Sequence, residues 1–277
     1  MLAHFAVMVC AFLFAPAKGH AAPDATSATD ALDTIDLDAL ASKYGTDKRR
    51  SHHKYTDAYS LLFDHRRGAI RNLTEVGIGG GASMKMWLDY FPRAHIFGTN
   101  IDLELRFDPH GTVHEKAGGK RFGIPQISNP RIHMALCKAR TDDECLQTKL
   151  GLIEGSMDIV IDDAGSHARR LQEEVIQVMW KYLKVGGVYI IEDIDWNKGG
   201  LDYRDNPHAV HPFMRGVLAS HKTMFIDAHV GMPESTFQRF VKHSYGWSVN
   251  HTAHNSYMMA IKKVRDPYRI RYGSNRG

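Results

Sequence analysis

Apolar and polar positions follow a rhythm along this chain that predicts strands and helices in turn. Short apolar runs predict five buried strands, at residues 73–78, 94–101, 131–136, 157–161 and 188–191. Between them, apolar residues recur at intervals of three and four, which predicts amphipathic helices at residues 84–91, 141–152 and 171–182. This alternation favours an α/β fold with a mostly parallel sheet and helices on both faces.

Two more strands are predicted near the end of the chain. They cover residues 247–252 and 257–264 and are joined by His254-Asn255-Ser256, which predicts a C-terminal antiparallel hairpin. No internal repeat and no second linker interrupts the pattern. We therefore expect a single domain over residues 38–277.

The N-terminal residues are typical of a targeting segment. An apolar run at residues 5–15 is followed by small residues at 17–21, which predicts a secretory signal peptide over residues 1–22. An uncleaved anchor is the rival interpretation. Residues 23–37 are polar and predict a flexible segment. The expected location is the secretory pathway, either lumenal or secreted.

Charge and cysteine content narrow the function classes. The 277 residues include 35 Lys plus Arg and 31 Asp plus Glu, a net charge of +4 that is too even for a nucleic-acid-binding protein. Three cysteines exclude a disulfide framework and a cysteine-rich zinc module. Cys137 and Cys145 remain after signal removal. They could pair in an oxidising compartment or stay buried thiols, and we slightly favour thiols.

Glycines follow the first predicted strand, where open α/β sheets bind ligands. In Glu75-Val76-Gly77-Ile78-Gly79-Gly80-Gly81-Ala82, glycine lets backbone N–H groups approach a ligand. The run also fits a dinucleotide-binding pattern or a purely structural turn. Asn100 and Asp102 lie at the end of the second strand, where either could bind ribose hydroxyls.

Acidic pairs end the fourth and fifth strands. Asp162 and Asp163 end one, Glu192 and Asp193 end the next, and a divalent cation would relieve their repulsion. Oxygen ligands indicate Mg²⁺, Mn²⁺ or Ca²⁺ rather than zinc. Alternatively these acids pair with nearby cations or cap helices. His167 stands where a general base would lie, or it is a helix N-terminal histidine that faces water.

A set of segments in fixed order resembles a known family. The segments are Lys43-Tyr44-Gly45-Thr46-Asp47-Lys48, His53-Lys54-Tyr55, Glu75 to Gly79, Asp162 to His167 and Gly187 to Asp193. Together they resemble the Mg²⁺-dependent sugar O-methyltransferases of the macrocin and mycinamicin type, which use S-adenosylmethionine. The resemblance covers residues 38–195 and implies a Rossmann-like fold with residues 38–60 as a lid over the cofactor.

The resemblance also implies roles. His167 would be the catalytic base, and Asp163 or Asp162 would hold the metal with Glu192 and Asp193. The implied cofactor-binding residues are Tyr44, Thr46, Asp47, His53, Tyr55, Glu75, Gly77, Gly79, Asn100 and Asp102. The chain departs from the family by inserting Ala164 before Gly-Ser-His, which leaves the choice between Asp162 and Asp163 open. It also has Cys137-Lys138 where the family tends to have Gly-Asp.

The expected function is therefore S-adenosylmethionine-dependent and metal-dependent methylation of a hydroxyl on a sugar or other vicinal diol. The acceptor would be a small molecule or glycan. We expect no nucleic-acid partner and no stable membrane span after signal cleavage, and a homo-oligomer stays open. Alternatives are an impaired methyltransferase fold that only binds, an NAD-dependent oxidoreductase, and a relative of the cephalosporin hydroxylases.

Overall fold

The computed structural model describes residues 35–100, 106–107, 113–114, 124–164, 169–193, 211–227, 232–234 and 257–264. The predicted signal peptide, the strand at 247–252, Asp102 and His167 lie outside the described residues.

The described elements alternate as the apolar pattern predicts. The helices are α1 (Leu37–Tyr44), α2 (Tyr55–Phe63), α3 (Ala82–Tyr90), α4 (Asp143–Thr148), α5 (Arg169–Met179) and α6 (Pro212–Ser220), with a 3₁₀ helix at Asp64–Ala69. The first strands are β1 (Asn72–Val76), β2 (His95–Asn100), β3 (Arg106–Phe107), β4 (Val113–His114) and β5 (Ile132–Leu136). The later strands are β6 (Met157–Asp162), β7 (Leu183–Ile191), β8 (Lys222–Asp227), β9 (Met232–Glu234) and β10 (Tyr257–Lys262).

Eight of these strands form one sheet in the order β5-β2-β1-β6-β7-β10-β8-β9. The first five strands in this order, β5, β2, β1, β6 and β7, are parallel to one another. Strand β10 runs antiparallel to both β7 and β8. This confirms the α/β fold with a mostly parallel sheet and an antiparallel C-terminal addition. β1 and β6 are neighbours, as are β6 and β7, so the carboxyl ends of all three meet at one edge.

The structure differs from the local predictions in three places. Within the described residues β10 pairs antiparallel with β7 and with β8, and the apolar pattern did not predict β8 as a strand. Helix α5 ends at Met179, and Gly186-Gly187 lie inside the longer strand β7 rather than at a helix end. Helix α4 is shorter than predicted at both ends, and Asp142 caps its start by accepting from Cys145 N–H at 3.0 Å.

Strand alternation divides the core into two layers. Leu73, Ile159, Ile161 and Ile190 point to the face that α1, α2 and α3 cover. Side chains at the intervening positions, such as Val160 and Ile191, point to the face that α4, α5 and α6 cover. A residue at the end of a strand therefore faces one helical layer or the other according to its position in the alternation. None of the described helices is long and apolar enough to cross a membrane.

Cys137 and Cys145 form a disulfide in the structure, with their Cα atoms 5.6 Å apart. The slight preference for buried thiols was therefore wrong. The α4 cap brings Cys145 back to the end of β5, and this contact depends on the turn between them rather than on sequence spacing. Both residues are buried.

Replacing Cys145 with serine is expected to lower the free energy of unfolding by about 2 kcal/mol, because the unfolded chain regains the freedom of a short closed loop. Urea unfolding of the oxidised protein measures this. The same unfolding in reducing agent serves as the control, and reduced wild type should match the variant. Equal stability of oxidised and reduced wild type would contradict the prediction.

Candidate active site

The turn after β1 can be built only with glycine at its first position. Gly77 has a φ of 98°, and a Cβ there would lie 2.0 Å from the carbonyl oxygen of Asp163. Its N–H donates to the Thr99 carbonyl at 2.7 Å, which ties the turn to β2. Asn100 fixes the other side of the turn, since its Nδ2 donates to the Gly79 carbonyl at 3.2 Å. The predicted glycine turn and Asn100 therefore come together, at the ends of neighbouring strands.

Three acidic side chains meet on the sheet face that α1, α2 and α3 cover. In an extended strand, residues two positions apart point to the same face. Glu75 of β1 therefore shares the face of Leu73. By the same rule Asp163, after β6, shares the face of Ile161, and Glu192, after β7, shares that of Ile190. Because these strands are parallel neighbours, the three carboxylates reach one point. We call Glu75, Asp163 and Glu192 the acid cluster.

Lys48 lies at the centre of the acid cluster. Its Nζ is 2.7 Å from Asp163 Oδ2, 2.5 Å from Glu192 Oε2 and 3.3 Å from Glu75 Oε1. The Lys48 side chain is only 1% exposed. Burial by itself would lower the pKa of this ammonium, but the three carboxylates raise it well above its ordinary value. Lys48 is therefore a buried cation.

The segment before α2 carries Lys48 into the site. Helix α1 ends at Tyr44 because Gly45 adopts a left-handed conformation (φ 71°). The chain then folds into a compact turn, in which His53 N–H donates to the Asp47 carbonyl at 2.9 Å. The turn thereby places Lys48 against acids at the carboxyl ends of β1, β6 and β7, while a lid over a cofactor at residues 38–60 stays a prediction.

Glu75 is held from a second side by Trp87. The indole Nε1 of Trp87 on α3 donates to Glu75 Oε2 at 2.8 Å, and both side chains are buried. Glu75 Oε1 is within ion-pair distance of Lys48 but makes no hydrogen bond of good geometry. That oxygen is the part of Glu75 best able to accept a further donor.

Trp87 and Glu75 are expected to stabilise the fold as a unit. Replacing Trp87 with phenylalanine keeps a ring in the core but leaves a buried carboxylate oxygen without its donor, at a cost of about 2 kcal/mol. The measurement is a double-mutant cycle in urea unfolding with Trp87→Phe, Glu75→Gln and the double variant. Additive single effects would show that the bond contributes nothing.

Glu192 and Asp193 are fixed by aromatic residues of α2. Tyr59 donates its hydroxyl to Glu192 Oε1, and Tyr55 donates to Asp193 Oδ1 at 2.7 Å. His53 stacks on Tyr55, and its Nδ1 lies 3.5 Å from Asp193 Oδ1. Asp193 has a φ of 50°, a conformation that aspartate tolerates better than most residues. Tyr55 and His53 thus contact a predicted metal acid.

Asp162 points away from the acid cluster. As the last residue of β6 it takes the opposite face, where its Oδ2 lies 3.3 Å from the Tyr189 hydroxyl and its Oδ1 accepts from Ala164 N–H at 3.3 Å. Burial raises the pKa of Asp162 to about 8. Asp163 rather than Asp162 therefore faces the acid cluster, and a metal-binding role for either residue stays a prediction.

The charge balance of the cluster leaves an excess of acid. Burial raises the pKa of Glu192 to about 7. Lys48 opposes this rise, and the neighbouring carboxylates of Glu75 and Asp193 add to it. Burial likewise raises the pKa of Asp163 well above its usual range. Asp163 is 17% exposed, whereas Glu75 and Glu192 are almost fully buried, so Asp163 opens the cluster to solvent.

Three other predicted cofactor residues lie further out. Tyr44 donates its hydroxyl to Asp89 of α3 at 2.5 Å, which joins α1 to α3. Thr46 is buried within the turn, and its Oγ1 is 3.4 Å from Asp47. Asp47 has a largely exposed side chain, and its pKa is lowered because Lys48 and His53 outweigh the effect of burial. The described geometry joins none of the three directly to the acid cluster.

Lys48, Trp87 and Tyr59 belong to the site, although the sequence predicts none of them as site residues. Lys48 ends one of the family segments, but the resemblance implies no role for it. The apolar spacing predicts Trp87 only as a core position of a helix. Charge alone could have indicated Lys48, because a cluster of buried acids needs a buried cation.

The donor set can be tested for its fit to a divalent cation. Oxygens of Asp163 and Glu192 converge on one cationic centre, and oxygen donors are those that Mg²⁺ prefers. Within the described part of the chain, no group of three Asp, Glu, His or Cys side chains has the arrangement of a metal site, and Lys48 Nζ stands where Asp163 and Glu192 converge. The two acids fit Mg²⁺ by the chemistry of their oxygens, as the nearest pair of candidate ligands.

Comparison with known proteins gives matches to sugar O-methyltransferases. No protein-family model matches the chain. The L-olivosyl-oleandolide 3-O-methyltransferase of Streptomyces antibioticus is 33% identical over 168 residues, which are 58% of this chain and 38% of that protein. The 8-demethyl-8-alpha-L-rhamnosyl tetracenomycin-C 2'-O-methyltransferase of Streptomyces olivaceus is 30% identical over 225 residues, 78% of this chain and 53% of that protein.

This chain resembles bacterial sugar O-methyltransferases.

The resemblance extends to a solved structure. The MycE methyltransferase from the mycinamycin biosynthetic pathway, in complex with Mg and SAH, matches with a TM-score of 0.52 and 24% identity. That match covers 84% of this chain and 55% of MycE, and it shows the shared fold. The chain spans roughly half or less of the length of the curated relatives, as the 38% and 53% coverage shows.

Proposed function

We propose that this chain is an S-adenosylmethionine-dependent and divalent-metal-dependent O-methyltransferase that acts on a hydroxyl of a sugar or other vicinal diol. The acid cluster carries the proposal. It joins Glu75, beside the glycine turn, to Asp163 and Glu192 at the next two strand ends. The resemblance to sugar O-methyltransferases supports the choice of reaction and acceptor class.

The proposed cofactor site is the glycine turn with its neighbours. Gly77 and Gly79 present backbone without side chains, and Glu75 offers an oxygen for a hydroxyl or ammonium donor. Asn100 lies at the end of β2, where ribose is bound in sheets of this type. Asp102, Tyr44, Thr46 and Asp47 stay predictions from the family resemblance.

Asp163, Glu192 and Asp193 would hold the metal. Bound Mg²⁺ supplies a Lewis acid that lowers the pKa of a chelated hydroxyl. Tyr59 and Tyr55 keep Glu192 and Asp193 oriented toward the strand ends by donating to them. As a lid, the turn that carries Lys48 would limit water around the reacting groups, so that charges would act on one another more strongly. His167 as the base that accepts the hydroxyl proton stays a prediction.

Calorimetric titration tests the proposal. We expect saturable binding of S-adenosylmethionine and no saturable binding of NAD, each measured with and without Mg²⁺. We expect no NAD binding because an NAD-dependent oxidoreductase would give no function to Asp163, Glu192 and Asp193. Binding of NAD in place of S-adenosylmethionine would nevertheless favour the oxidoreductase alternative. A screen of glycans with a labelled methyl donor then identifies the acceptor. Cofactor binding without any transfer would favour the binding-module alternative.

The base assignment has a separate test. His167→Ala should bind S-adenosylmethionine as wild type does but transfer methyl groups at least about a hundredfold more slowly. Unchanged transfer by this variant would assign the proton to another group.

We further propose that the protein acts in the secretory pathway. The apolar run at residues 5–15 supports this, as does the Cys137–Cys145 disulfide, since disulfides persist in oxidising compartments. Mass spectrometry of the protein secreted from a eukaryotic host should find a new N-terminus near residue 22. Retention of the whole segment in a membrane fraction would favour the anchor interpretation.

A further inference from the structure

We propose that Lys48 is a positioning residue, a resident counter-ion that keeps Glu75 in its place whether or not a divalent cation is bound. This inference rests on the proposed function, because it assigns Glu75 to the cofactor and Asp163 and Glu192 to the metal. It adds a residue that the family resemblance left without a role.

The contacts of Lys48 are the first support. One ammonium reaches acids from β1, β6 and β7, with Nζ–O distances of 3.3, 2.7 and 2.5 Å. Within the described residues, no other lysine or arginine forms an ion pair with Glu75, Asp163 or Glu192. The cofactor acid and the two metal acids thus share a single cation in the described structure.

The surroundings of Glu75 are the second support. Trp87 holds one carboxylate oxygen at 2.8 Å, and Lys48 attracts the other. The carboxylates of Asp163 and Glu192 repel that of Glu75, and burial leaves little water to screen this repulsion. Removal of the ammonium would therefore push Glu75 away from its bonded position, unless another cation lies beside Asp163 and Glu192.

A distinctive ligand-binding pattern follows. Wild type should bind S-adenosylhomocysteine with an affinity that changes by less than about threefold when Mn²⁺ is added, because Lys48 already balances the cluster. Lys48→Met should bind it about tenfold more weakly without Mn²⁺, and Mn²⁺ should restore most of this loss. Lys48→Arg keeps the charge and should behave more like wild type than Lys48→Met does.

Titration calorimetry on the full chain measures these affinities. Lys149→Met removes an exposed lysine charge at the end of α4 and should match wild type in both conditions. A merely structural role for Lys48 would weaken binding equally with and without Mn²⁺, and that result would overturn the proposal. Equal affinities of wild type and Lys48→Met without Mn²⁺ would overturn it too.

A second variant covers the case in which Lys48→Met does not fold. The double variant Lys48→Met/Glu75→Gln removes both charges of the pair, and its residual cofactor affinity should not depend on Mn²⁺. Dependence on Mn²⁺ in this double variant would contradict the proposal. Failure of wild type to bind S-adenosylhomocysteine at all would instead reject the proposed function.

Discussion

Glu192→Gln is expected to lower the rate of methyl transfer by at least about a hundredfold. The substitution keeps the size of the side chain but removes the charge that Lys48 contacts at 2.5 Å and to which Tyr59 donates. The amide would present an N–H group toward one of these donors. Residue 192 would also no longer place an anionic oxygen beside Asp163.

Two measurements check this expectation. Mn²⁺ affinity, followed by electron paramagnetic resonance, should fall together with the transfer rate on the acceptor found by screening. Glu174→Gln is the matched control, because Glu174 on α5 pairs with Arg140 at 2.9 Å outside the acid cluster. It should change neither quantity by more than about twofold. Wild-type Mn²⁺ affinity in Glu192→Gln would remove Glu192 from the metal set.

Gly77→Ala is expected to destabilise the protein by about 3 kcal/mol or more and to abolish cofactor binding. A φ of 98° strains any residue that carries a Cβ, and this Cβ would stand 2.0 Å from the Asp163 carbonyl oxygen. Relief of that overlap must separate the turn after β1 from the end of β6. The separation would move Asp163 relative to Glu75.

Gly80→Ala offers a close control for Gly77→Ala. Gly80 lies in the same turn, and a Cβ there meets no atom within 4 Å. Its unfolding free energy should stay within about 1 kcal/mol of wild type. Urea unfolding and calorimetry with S-adenosylhomocysteine compare the two variants. Equal behaviour of both would show that the turn is tolerant and that Gly77 has no special role.

The apolar pattern was sufficient for the parallel part of the sheet. Five buried strands separated by amphipathic helices leave few arrangements other than a parallel sheet between two helical layers, and the structure has that arrangement. The pattern was less informative for the antiparallel end. Strand β8 lies far from β10 in the chain, and pairing over such a distance has no local signature.

The candidate site was predictable to the level of strand ends. Glu75 lies near the end of β1, and Gly77, Asp163 and Glu192 each come directly after a buried strand. The carboxyl ends of parallel strands share one edge. Which acid of a consecutive pair belongs to the site was not predictable, because a residue's face depends on where its strand begins in the alternation. The inserted Ala164 made that alternation ambiguous. In the structure Asp163 lies on the face of the acid cluster and Asp162 on the opposite face.

By itself the sequence determined the class of fold, the edge of the sheet at which the acidic side chains gather and the types of side chain present there. These follow from periodicity and from residue identity, which are local properties. Only the tertiary structure decided the partners. It placed Lys48 among three carboxylates, Trp87 against Glu75 and Cys145 against Cys137. Each contact joins separate segments, so its position depends on how the whole core packs.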